Sequence, residues 1–293
     1  MKKTIEEKVK WAMENTPKEL PEGACIACQG TEGANSQLAC ERVFKNPTIL
    51  FFSSFEAVFS AVQNGLCQYG VIPIENSTAG SVNAVYDLML NYNFSIVRSV
   101  RMKIEHNLLV KPGTKMEDIR EIYTHEQAIN QCSKFIGSLK DVRVIPLENT
   151  AVGAKMVAES DRTDIAAIAS KACIKYYNLK SLKQGIQDND NNYTRFICIS
   201  KNIEIYPGAD RSSLMVTLEH EPGSLYRALS ILNDQGINLL KLESRPIPNR
   251  EFEFKFYFDI ETSVYSSGLI NVLGNMPGVC DEFRYLGSYS EII

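Results

Sequence analysis

Clusters of polar residues stand where an apolar run gives way to a segment of helical period, the place at which open α/β sheets bind ligands. They lie at residues 30–36, 75–82, 124–127, 149–151 and 188–196. Most of their members are hydroxyls, amides and glycines, and all but the last precede a predicted helix, whose first backbone N–H groups favour an anion. The sequence therefore predicts a site for a small anionic, carboxylated molecule.

The second and last clusters give the strongest indication of a carboxylate site. Ser77, Thr78 and Ser81 supply more hydroxyls than the capping of one helix requires. Arg195 has a planar guanidinium that suits a carboxylate, although an ion pair with a preceding aspartate would also account for it. The hydroxyl of Thr194 precedes it where the polar loop enters a strand.

The remaining candidates also have structural explanations. Thr124 and Asn149 are each placed to cap a helix. His106 and His125 stand at strand ends, where they can donate to an anion, but a single histidine is also commonly a buried structural residue. Residues 30–36 form a glycine-rich turn that an ordinary strand-to-helix connection explains as well. Neither histidine has the spacing of a metal ligand, and we expect no metal.

Charge and composition exclude several classes of protein. The 293 residues include 31 Lys and Arg against 35 Asp and Glu, so no bulk charge attracts nucleic acid or anionic lipid. No apolar run approaches the roughly 20 residues that span a bilayer, and no signal core follows the start, so we expect a cytoplasmic protein without a membrane partner. The chain lacks a Gly-x-Ser-x-Gly elbow, a Walker loop and a dinucleotide fingerprint, which argues against a hydrolase, a kinase and a dehydrogenase.

The cysteines carry no predicted chemistry. All eight are dispersed along the chain, and we expect free thiols. Cys25 and Cys28 form a C-x-x-C pair, but they lie in a predicted strand, where residues three apart point to opposite faces and cannot share one metal.

The elements that position the polar clusters form an α/β unit, because short β-branched or apolar runs alternate with helical segments from residue 24 to 200. Strands are predicted at residues 24–28, 48–52, 70–74, 94–100, 108–111, 121–123, 142–147, 165–169 and 196–200. Ser53 and Glu56 have the spacing of a capping box that opens a helix, and a second helix is expected over residues 126–136. The predicted site is two-lobed.

Residues 201–211 break this rhythm and mark a boundary. Beyond them, strands and helices alternate in the order βαββαβ, which is the ferredoxin-like arrangement of an α+β module. Its strand over residues 252–260 alternates strictly, which predicts one buried and one solvated face. We therefore divide the chain into an N-terminal extension (1–22), a two-lobed α/β domain (23–201) and a C-terminal module (211–293).

The chain resembles prephenate dehydratases, enzymes of phenylalanine biosynthesis, followed by a regulatory ACT domain. The resemblance spans about residues 24–289 and is most specific at residues 70–82 and 192–196, where several polar positions match in register. It is also carried by residues 30–36, 106–108, 149–151, 222–225 and 243–246. Two positions depart from the family: Asn35 stands where an aromatic is usual, and Ser224 stands where alanine is usual.

The resemblance implies a catalytic domain similar to the type 2 periplasmic binding-protein fold and the conversion of prephenate to phenylpyruvate, CO2 and water without a cofactor. Thr194 is then the candidate donor to the leaving hydroxyl, either directly or by passing on a proton. Arg195, Ser77, Thr78 and Ser81 are the candidates to hold carboxylates. Substrate-binding roles are assigned to Asn76, His106, Thr124, Asn149, Thr150 and Phe196.

The resemblance also implies feedback inhibition by L-phenylalanine. Its expected binding residues are Gly223, Ser224, Leu225, Asn238, Glu243, Ser244 and Arg245. We expect a homodimer or a homotetramer, because the apolar row of Phe252, Phe254, Phe256 and Phe258 can pack against its own helices or against a second copy.

Two alternatives remain open at this point. An arogenate dehydratase would act on a substrate whose side chain bears an amino acid in place of a keto acid. A non-catalytic sensor of a small carboxylate would use the same two-lobed layout without turnover.

Overall fold

The computed structural model describes residues 3–248, 250 and 253–293. Its helices are α1 (Ile5–Asn15), α2 (Asn35–Val43), α3 (Phe55–Gln63), α4 (Asn83–Asn91), α5 (Glu126–Gln131), α6 (Ser133–Gly137), α7 (Thr150–Glu159), α8 (Ala172–Tyr177), α9 (Ser224–Asp234) and α10 (Ser267–Asn275). None of these described helices has the length and apolar character needed to cross a bilayer.

The strands form three sheets. They are β1 (Cys25–Gln29), β2 (Thr48–Phe52), β3 (Tyr69–Asn76), β4 (Gly80–Ser81), β5 (Ser95–Lys103), β6 (Asn107–Val110), β7 (Glu121–His125), β8 (Arg143–Leu147), β9 (Ile165–Ala169), β10 (Lys180–Lys183), β11 (Tyr193–Ser200), β12 (Arg211–Thr217), β13 (Asn238–Pro246), β14 (Phe254–Glu261), β15 (Glu282–Tyr289) and β16 (Glu291–Ile292).

The first lobe is built on the sheet β16-β5-β11-β3-β1-β2, with β4 paired to β3. Strand β1 runs parallel to β2 and β3, whereas β11 runs antiparallel between β3 and β5. One face packs against α3, α4 and the C-terminal module, and the other packs against α2. Cys25 and Cys28 lie on these opposite faces, and all eight cysteines are free thiols.

The second lobe is built on the sheet β10-β6-β9-β7-β8. Helices α7 and α8 cover one face, and α5 and α6 cover the other. The chain crosses between the lobes at residues 104–106 and again at 184–192, and the two crossings are bonded together. The Ile104 N–H donates to the Asn192 carbonyl at 2.8 Å, and the Ile186 N–H donates to the His106 carbonyl at 3.0 Å. This layout leaves a cleft between two sheets, as the sequence predicts.

The C-terminal module has the predicted βαββαβ order, with an antiparallel sheet β13-β14-β12-β15 and both helices on one face. Helix α1 joins its core, since Val9 and Ala12 are buried beside α10. A capping box of Thr4 and Glu7 starts this helix. The N-terminal segment is thus a structural part of the C-terminal module.

The strict alternation of β14 does not produce a solvated face, and that prediction is wrong. Phe258 and Ile260 pack on the module's helices, whereas Tyr257 and Asp259 are buried against the first lobe. A pattern within one strand cannot reveal that a second domain covers its polar face. Within the phenylalanine row, Phe256 and Phe258 pack on the module's helices and Phe254 is partly exposed. Phe252 lies outside the described residues.

Two helix predictions also need correction. Ser54, not Ser53, caps α3 and accepts from the N–H of Ala57, so the predicted box with Glu56 does not form. The helix expected over residues 126–136 breaks at Cys132 into α5 and α6. Strand β11 begins three residues earlier than predicted, at Tyr193.

The C-terminal segment returns to the first lobe. Strand β16 pairs in parallel with β5. Just before it, Gly287 has a φ of 140°, and a Cβ at this position would lie 2.2 Å from the carbonyl oxygen of Ile96. Only glycine permits this approach, which brings β15 against the backbone of β5.

We expect Gly287→Ala to lower the free energy of unfolding by roughly 2–6 kcal/mol, since backbone strain and overpacking act together. Urea unfolding followed by circular dichroism measures this. Gly137→Ala is the matched control, because a Cβ there would meet nothing within 4 Å. Equal stability of the two variants would contradict the close approach of β15 to β5.

Candidate active site

A cavity of about 330 Å³ lies between the two lobes. The first lobe lines it with the loop before α2, the start of α2, the end of β3 and the start of β11. The second lobe lines it with the crossing before β6, with α5 and with the start of α7. Six predicted substrate-site residues line this cleft: Asn76, His106, Asn149, Thr150, Thr194 and Phe196.

The side chain of Asn76 has one possible orientation. Its Oδ1 accepts from the backbone N–H groups of Thr78 at 3.0 Å and Ala79 at 2.9 Å. Because a backbone N–H can only donate, the NH2 group of Asn76 must point the other way. There Nδ2 lies 2.9 Å from Oγ1 of Thr194 and 2.8 Å from Oδ1 of Asn192.

This orientation determines the role of the Thr194 hydroxyl. Its oxygen accepts from Asn76, so its own proton remains available for another acceptor. Within the described residues this hydroxyl donates to no other protein group. Thr194 lines the cleft, and its O–H is therefore free to donate to a bound molecule.

The same network continues into the second lobe through Gln131. Its Oε1 accepts from Asn192 at 2.9 Å, and its Nε2 donates to Oγ1 of Thr78 at 2.9 Å. His106 Nε2 lies 2.8 Å from Oε1 of Gln131 and must carry the proton that is donated there. Burial lowers the pKa of His106 despite that hydrogen bond, so the ring is neutral near pH 7.

The described residues that line the cleft include no Lys and no Arg. A carboxylate there would bind to neutral donors and to helix N-termini. Ala34, at the N-cap of α2, has no side-chain oxygen, so the first N–H groups of this helix are open to a ligand. Asn149 caps α7 by accepting from Val152 at 2.9 Å, beside the hydroxyl of Thr150.

Arg195 does not reach the cleft, and this corrects its assignment as a carboxylate ligand. Neighbouring residues on a strand point to opposite faces, so Thr194 and Arg195 cannot both line one cleft. Arg195 Nε lies 2.6 Å from Glu75, and its guanidinium also binds Asp259 of the C-terminal module. Burial opposes its charge, but the neighbouring charges, led by Asp259, raise the pKa of Arg195 well above its ordinary value.

Ser77 and Ser81 also bind protein groups in place of a ligand. Ser77 Oγ donates to the carbonyl of Asn191 at 2.8 Å and so fixes the loop before β11. Ser81 Oγ donates to Glu243 at 2.5 Å and accepts from Lys241 at 2.8 Å, both on β13. Their hydroxyls hold the first lobe together and join it to the C-terminal module.

The hydroxyls of Thr78 and Thr124 bind protein groups as well. The Thr78 hydroxyl donates to Oδ1 of Asn76 at 2.7 Å, and Thr78 lines an adjoining cavity of about 440 Å³ that shares Gln127 and Gln131 with the cleft. Thr124 is fully buried and donates to the carbonyl of Ile168 at 2.7 Å. The structure therefore brings the predicted amides and the histidine to the cleft, and it turns most of the predicted hydroxyls into scaffold.

Several polar side chains in or beside the cleft were not among the predicted site residues, including Gln29, Glu148 and three further amides. Gln127 and Gln131 are four residues apart on α5 and share one face. Asn192, which stands next to the predicted strand start, connects Asn76 to Gln131. The spacing of the two glutamines after His125 is the one signal that sequence reasoning could have used.

The residues expected to bind phenylalanine do not form one pocket within a chain. Gly223 precedes α9 with a φ of 88°, and Leu225 lines a shallow cavity of about 140 Å³ with Phe254. Glu243 and Arg245 face the first lobe instead, where Arg245 binds both oxygens of Asp87 at 2.7 and 2.8 Å.

The other three expected residues are Ser224, Asn238 and Ser244. Ser224 donates to the carbonyl of Glu221, Asn238 donates to Glu261 at the far end of β13, and Ser244 is exposed.

Comparison with known proteins decides the family. A family model described as prephenate dehydratase matches residues 26–204. The chain belongs to the prephenate dehydratase family. It is an enzyme of the prephenate and arogenate dehydratase class, and the sensor alternative loses its support.

Relatives of this prephenate dehydratase family member span nearly its whole length. A protein named arogenate dehydratase/prephenate dehydratase 2 of Arabidopsis thaliana is 36% identical over 276 residues, covering 90% of this chain and 72% of the relative. A structure of an Arthrobacter aurescens prephenate dehydratase in complex with L-Phe superposes with a TM-score of 0.83 at 27% identity, covering 91% and 90% of the two chains. A structure named GqqA, a quorum quenching acylase, has a TM-score of 0.82 at 30% identity and covers 90% and 97%.

His106 makes stability depend on pH. Its folded-state pKa is depressed, so below about pH 6.5 the unfolded chain binds a proton that the folded chain does not, and stability falls as the pH falls. Each unit of depression is worth about 1.4 kcal/mol. We expect the urea midpoint to drop less between pH 7.5 and 5.5 in His106→Gln than in the wild type. His220→Gln, at an exposed position, serves as the control. An unchanged drop in His106→Gln would refute the neutral buried ring.

Proposed function

We propose that the chain converts prephenate to phenylpyruvate, CO2 and water, with Thr194 as the donor to the leaving hydroxyl. The observation that carries the proposal is the Asn76–Thr194 hydrogen bond, which leaves the threonine proton free to face the cleft. The role of each group below rests on this placement.

The reaction breaks two bonds of the substrate ring. The bond between the ring and its carboxylate breaks to release CO2, and its electron pair moves through the ring as the opposite carbon–oxygen bond breaks. The leaving oxygen departs with its own pair and takes up one proton to form water. Electrons balance within the substrate, so no oxidant or reductant is needed. Thr194 donates a hydrogen bond to the leaving oxygen, which lowers the cost of expelling hydroxide, and the proton that completes the water molecule is taken up from solvent.

The cleft supplies the remaining needs of this chemistry. Phe55, Pro73 and Phe196 line it and offer apolar contact to the ring. The open N–H groups of α2 and the Thr150 hydroxyl donate hydrogen bonds to the carboxylates. Closure of the lobes about the crossings at 104–106 and 184–192 excludes water and favours loss of the ring carboxylate as neutral CO2.

Arogenate is the second candidate substrate, and Glu148 is the observation that favours it. This exposed side chain is the one carboxylate among the described residues lining the cleft. An ammonium on the substrate side chain needs such an acceptor, whereas the keto acid of prephenate does not. The Arabidopsis relative carries both activities in its name.

Acylase activity, which the name of one structural relative states, is not proposed. A hydroxyl or thiol nucleophile requires a base in contact with it. In the described cleft, His106 Nε2 contacts Gln131, and His125 Nδ1 accepts from the backbone of Gln127.

We expect the wild type to form phenylpyruvate from prephenate faster than phenylalanine from arogenate. Thr194→Val keeps the shape of the side chain but removes the hydroxyl, and kcat should fall by ~100-fold or more with KM nearly unchanged. Thr194→Ser should retain more activity. Chromatography of the products measures both. Turnover by the valine variant near the wild-type rate would end the assignment, and faster arogenate turnover would favour the second substrate.

Feedback inhibition by phenylalanine and assembly into at least a dimer form the second part of the proposal. Strand β13 is a sheet edge with Leu240 and Leu242 exposed, and Tyr226 on α9 is 75% exposed. Pairing of two modules would cover these groups. The helix start at Gly223 and the exposed Ser244 would then meet across copies, as an inhibitor site shared between modules requires. The Arthrobacter relative was solved with L-Phe.

We expect Leu242→Glu to weaken the dimer and to reduce inhibition by phenylalanine, because a buried unpaired charge opposes pairing. Sedimentation at micromolar concentration and inhibition curves test this. Leu66→Glu, on an exposed leucine of the first lobe, is the control and should change neither. A monomeric wild type, or full inhibition in a monomeric Leu242→Glu variant, would overturn the shared site.

A further inference from the structure

We propose that Lys241 and Asp259 of the C-terminal module are positioning residues for catalysis, holding Asn76 and Thr194 in place through Glu75 and Arg195. This inference rests on the proposed function. Glu75 directly precedes Asn76, and Arg195 directly follows Thr194. Both charged side chains face the C-terminal module, where Lys241 binds Glu75 and Asp259 binds Arg195.

The contact beside Thr194 is fully buried. The Arg195 side chain is 6% exposed and binds the carboxylate of Asp259, which is 10% exposed. The second oxygen of Asp259 accepts from Ser213 Oγ at 2.6 Å, and Ser213 bonds Tyr289 at 2.8 Å. Asp259 is therefore fixed within its own module before it meets Arg195, so it can act as a rigid support.

The contact beside Asn76 uses the neighbouring strand of the module. Lys241 Nζ lies 2.5 Å from Glu75 and 5.6 Å from the ring centre of Tyr86. Glu75 also lies 2.6 Å from Arg195, so it connects the two supports. Glu75 directly precedes Asn76, whose amide orients Thr194.

The ladder between β3 and β11 is irregular next to these residues. Strands β3 and β11 place Thr194 opposite Asn76 and Arg195 opposite Glu75, but the register then shifts, and Phe196 lies opposite Pro73. A bulge interrupts the ladder, and proline donates no hydrogen bond. On its other side β11 pairs with β5 in an unbroken register from Tyr193 to Cys198, so the side-chain contacts from the module add support where the β3 ladder is irregular.

The same strand offers a path for regulation. On β13, Lys241, Glu243 and Arg245 contact Glu75, Ser81 and Asp87 of the first lobe. A ligand that binds near Glu243 and Arg245 would shift β13 and withdraw Lys241 from Glu75. Inhibition then follows from loss of the support beside Asn76, with no contact between inhibitor and cleft.

The first test uses the full chain and a matched pair of lysines. Lys241→Met should lower kcat by roughly 10- to 100-fold with little change in KM, since a displaced donor fails in the transition state. Lys241→Arg should restore much of the rate. Lys255→Met is the control, because Lys255 is similarly buried but pairs with Glu282 inside the module. Equal rates for Lys241→Met and Lys255→Met would overturn the proposal.

The second test does not depend on turnover. Hydrogen exchange of the Thr78 and Ala79 amides reports on Asn76, because both donate to its Oδ1. We expect faster exchange there in Lys241→Met and in Asp259→Asn than in Lys255→Met, and weaker inhibition by phenylalanine in Lys241→Met. If the wild type converts neither substrate, the proposed function fails, whereas faster exchange would still support the positioning. Unchanged exchange in Lys241→Met refutes the positioning, even where Asp259→Asn does not fold.

Discussion

The amide of Asn76 is the contact on which the cleft depends. Two backbone N–H groups hold its oxygen, and they cannot reverse their role as donors. Its NH2 group therefore donates to Thr194 and to Oδ1 of Asn192. The NH2 group of Asn192 in turn donates to Oε1 of Gln131, which also accepts from His106. One anchored side chain thus sets the donor and acceptor roles in both lobes. The network also bridges the lobes, so their closure and the state of the threonine hydroxyl are physically linked.

The absence of Lys and Arg from the described cleft lining suits a decarboxylation. A cation held against the ring carboxylate would stabilise the charged ground state more than the departing neutral CO2, and so would raise the barrier. Neutral donors and helix N-termini bind a carboxylate more weakly, and they can hold the substrate without that cost. Because Arg195 points away from the cleft, it does not stabilise the charged ring carboxylate and so does not raise this barrier.

Much of this could be predicted from the sequence, and the limits have physical causes. Local patterns located most of the strands but not β4, β10 or β16, and they located the βαββαβ module and the cleft amides Asn76 and Asn149, because these features depend on neighbouring residues. The prediction placed Thr194 and Arg195 before the strand, when in fact β11 begins at Tyr193. Strand alternation would then have shown that only one of them can face the cleft. The first lobe buries one face of β14, and Gln131 binds Asn192. Both contacts join segments that are far apart in the sequence, so no local pattern could have predicted them.

A sheet has two faces, and this chain uses both at the same position. Asn76 and Thr194 face the cleft, whereas their neighbours Glu75 and Arg195 face the C-terminal module. Adjacent residues of a strand share one backbone. A displacement of Glu75 or Arg195 therefore reaches Asn76 or Thr194 directly, since each is the next residue in the chain. Communication between module and cleft therefore requires no long chain of contacts through the core. The contact between Arg195 and Asp259 transmits such a displacement best because it is buried, whereas solvent screens the more exposed contact between Lys241 and Glu75 to a greater degree. The packing of Tyr257 and Tyr289 against the first lobe provides that burial, and the hydrophobic interface is what allows the contact between Arg195 and Asp259 to act as a rigid support.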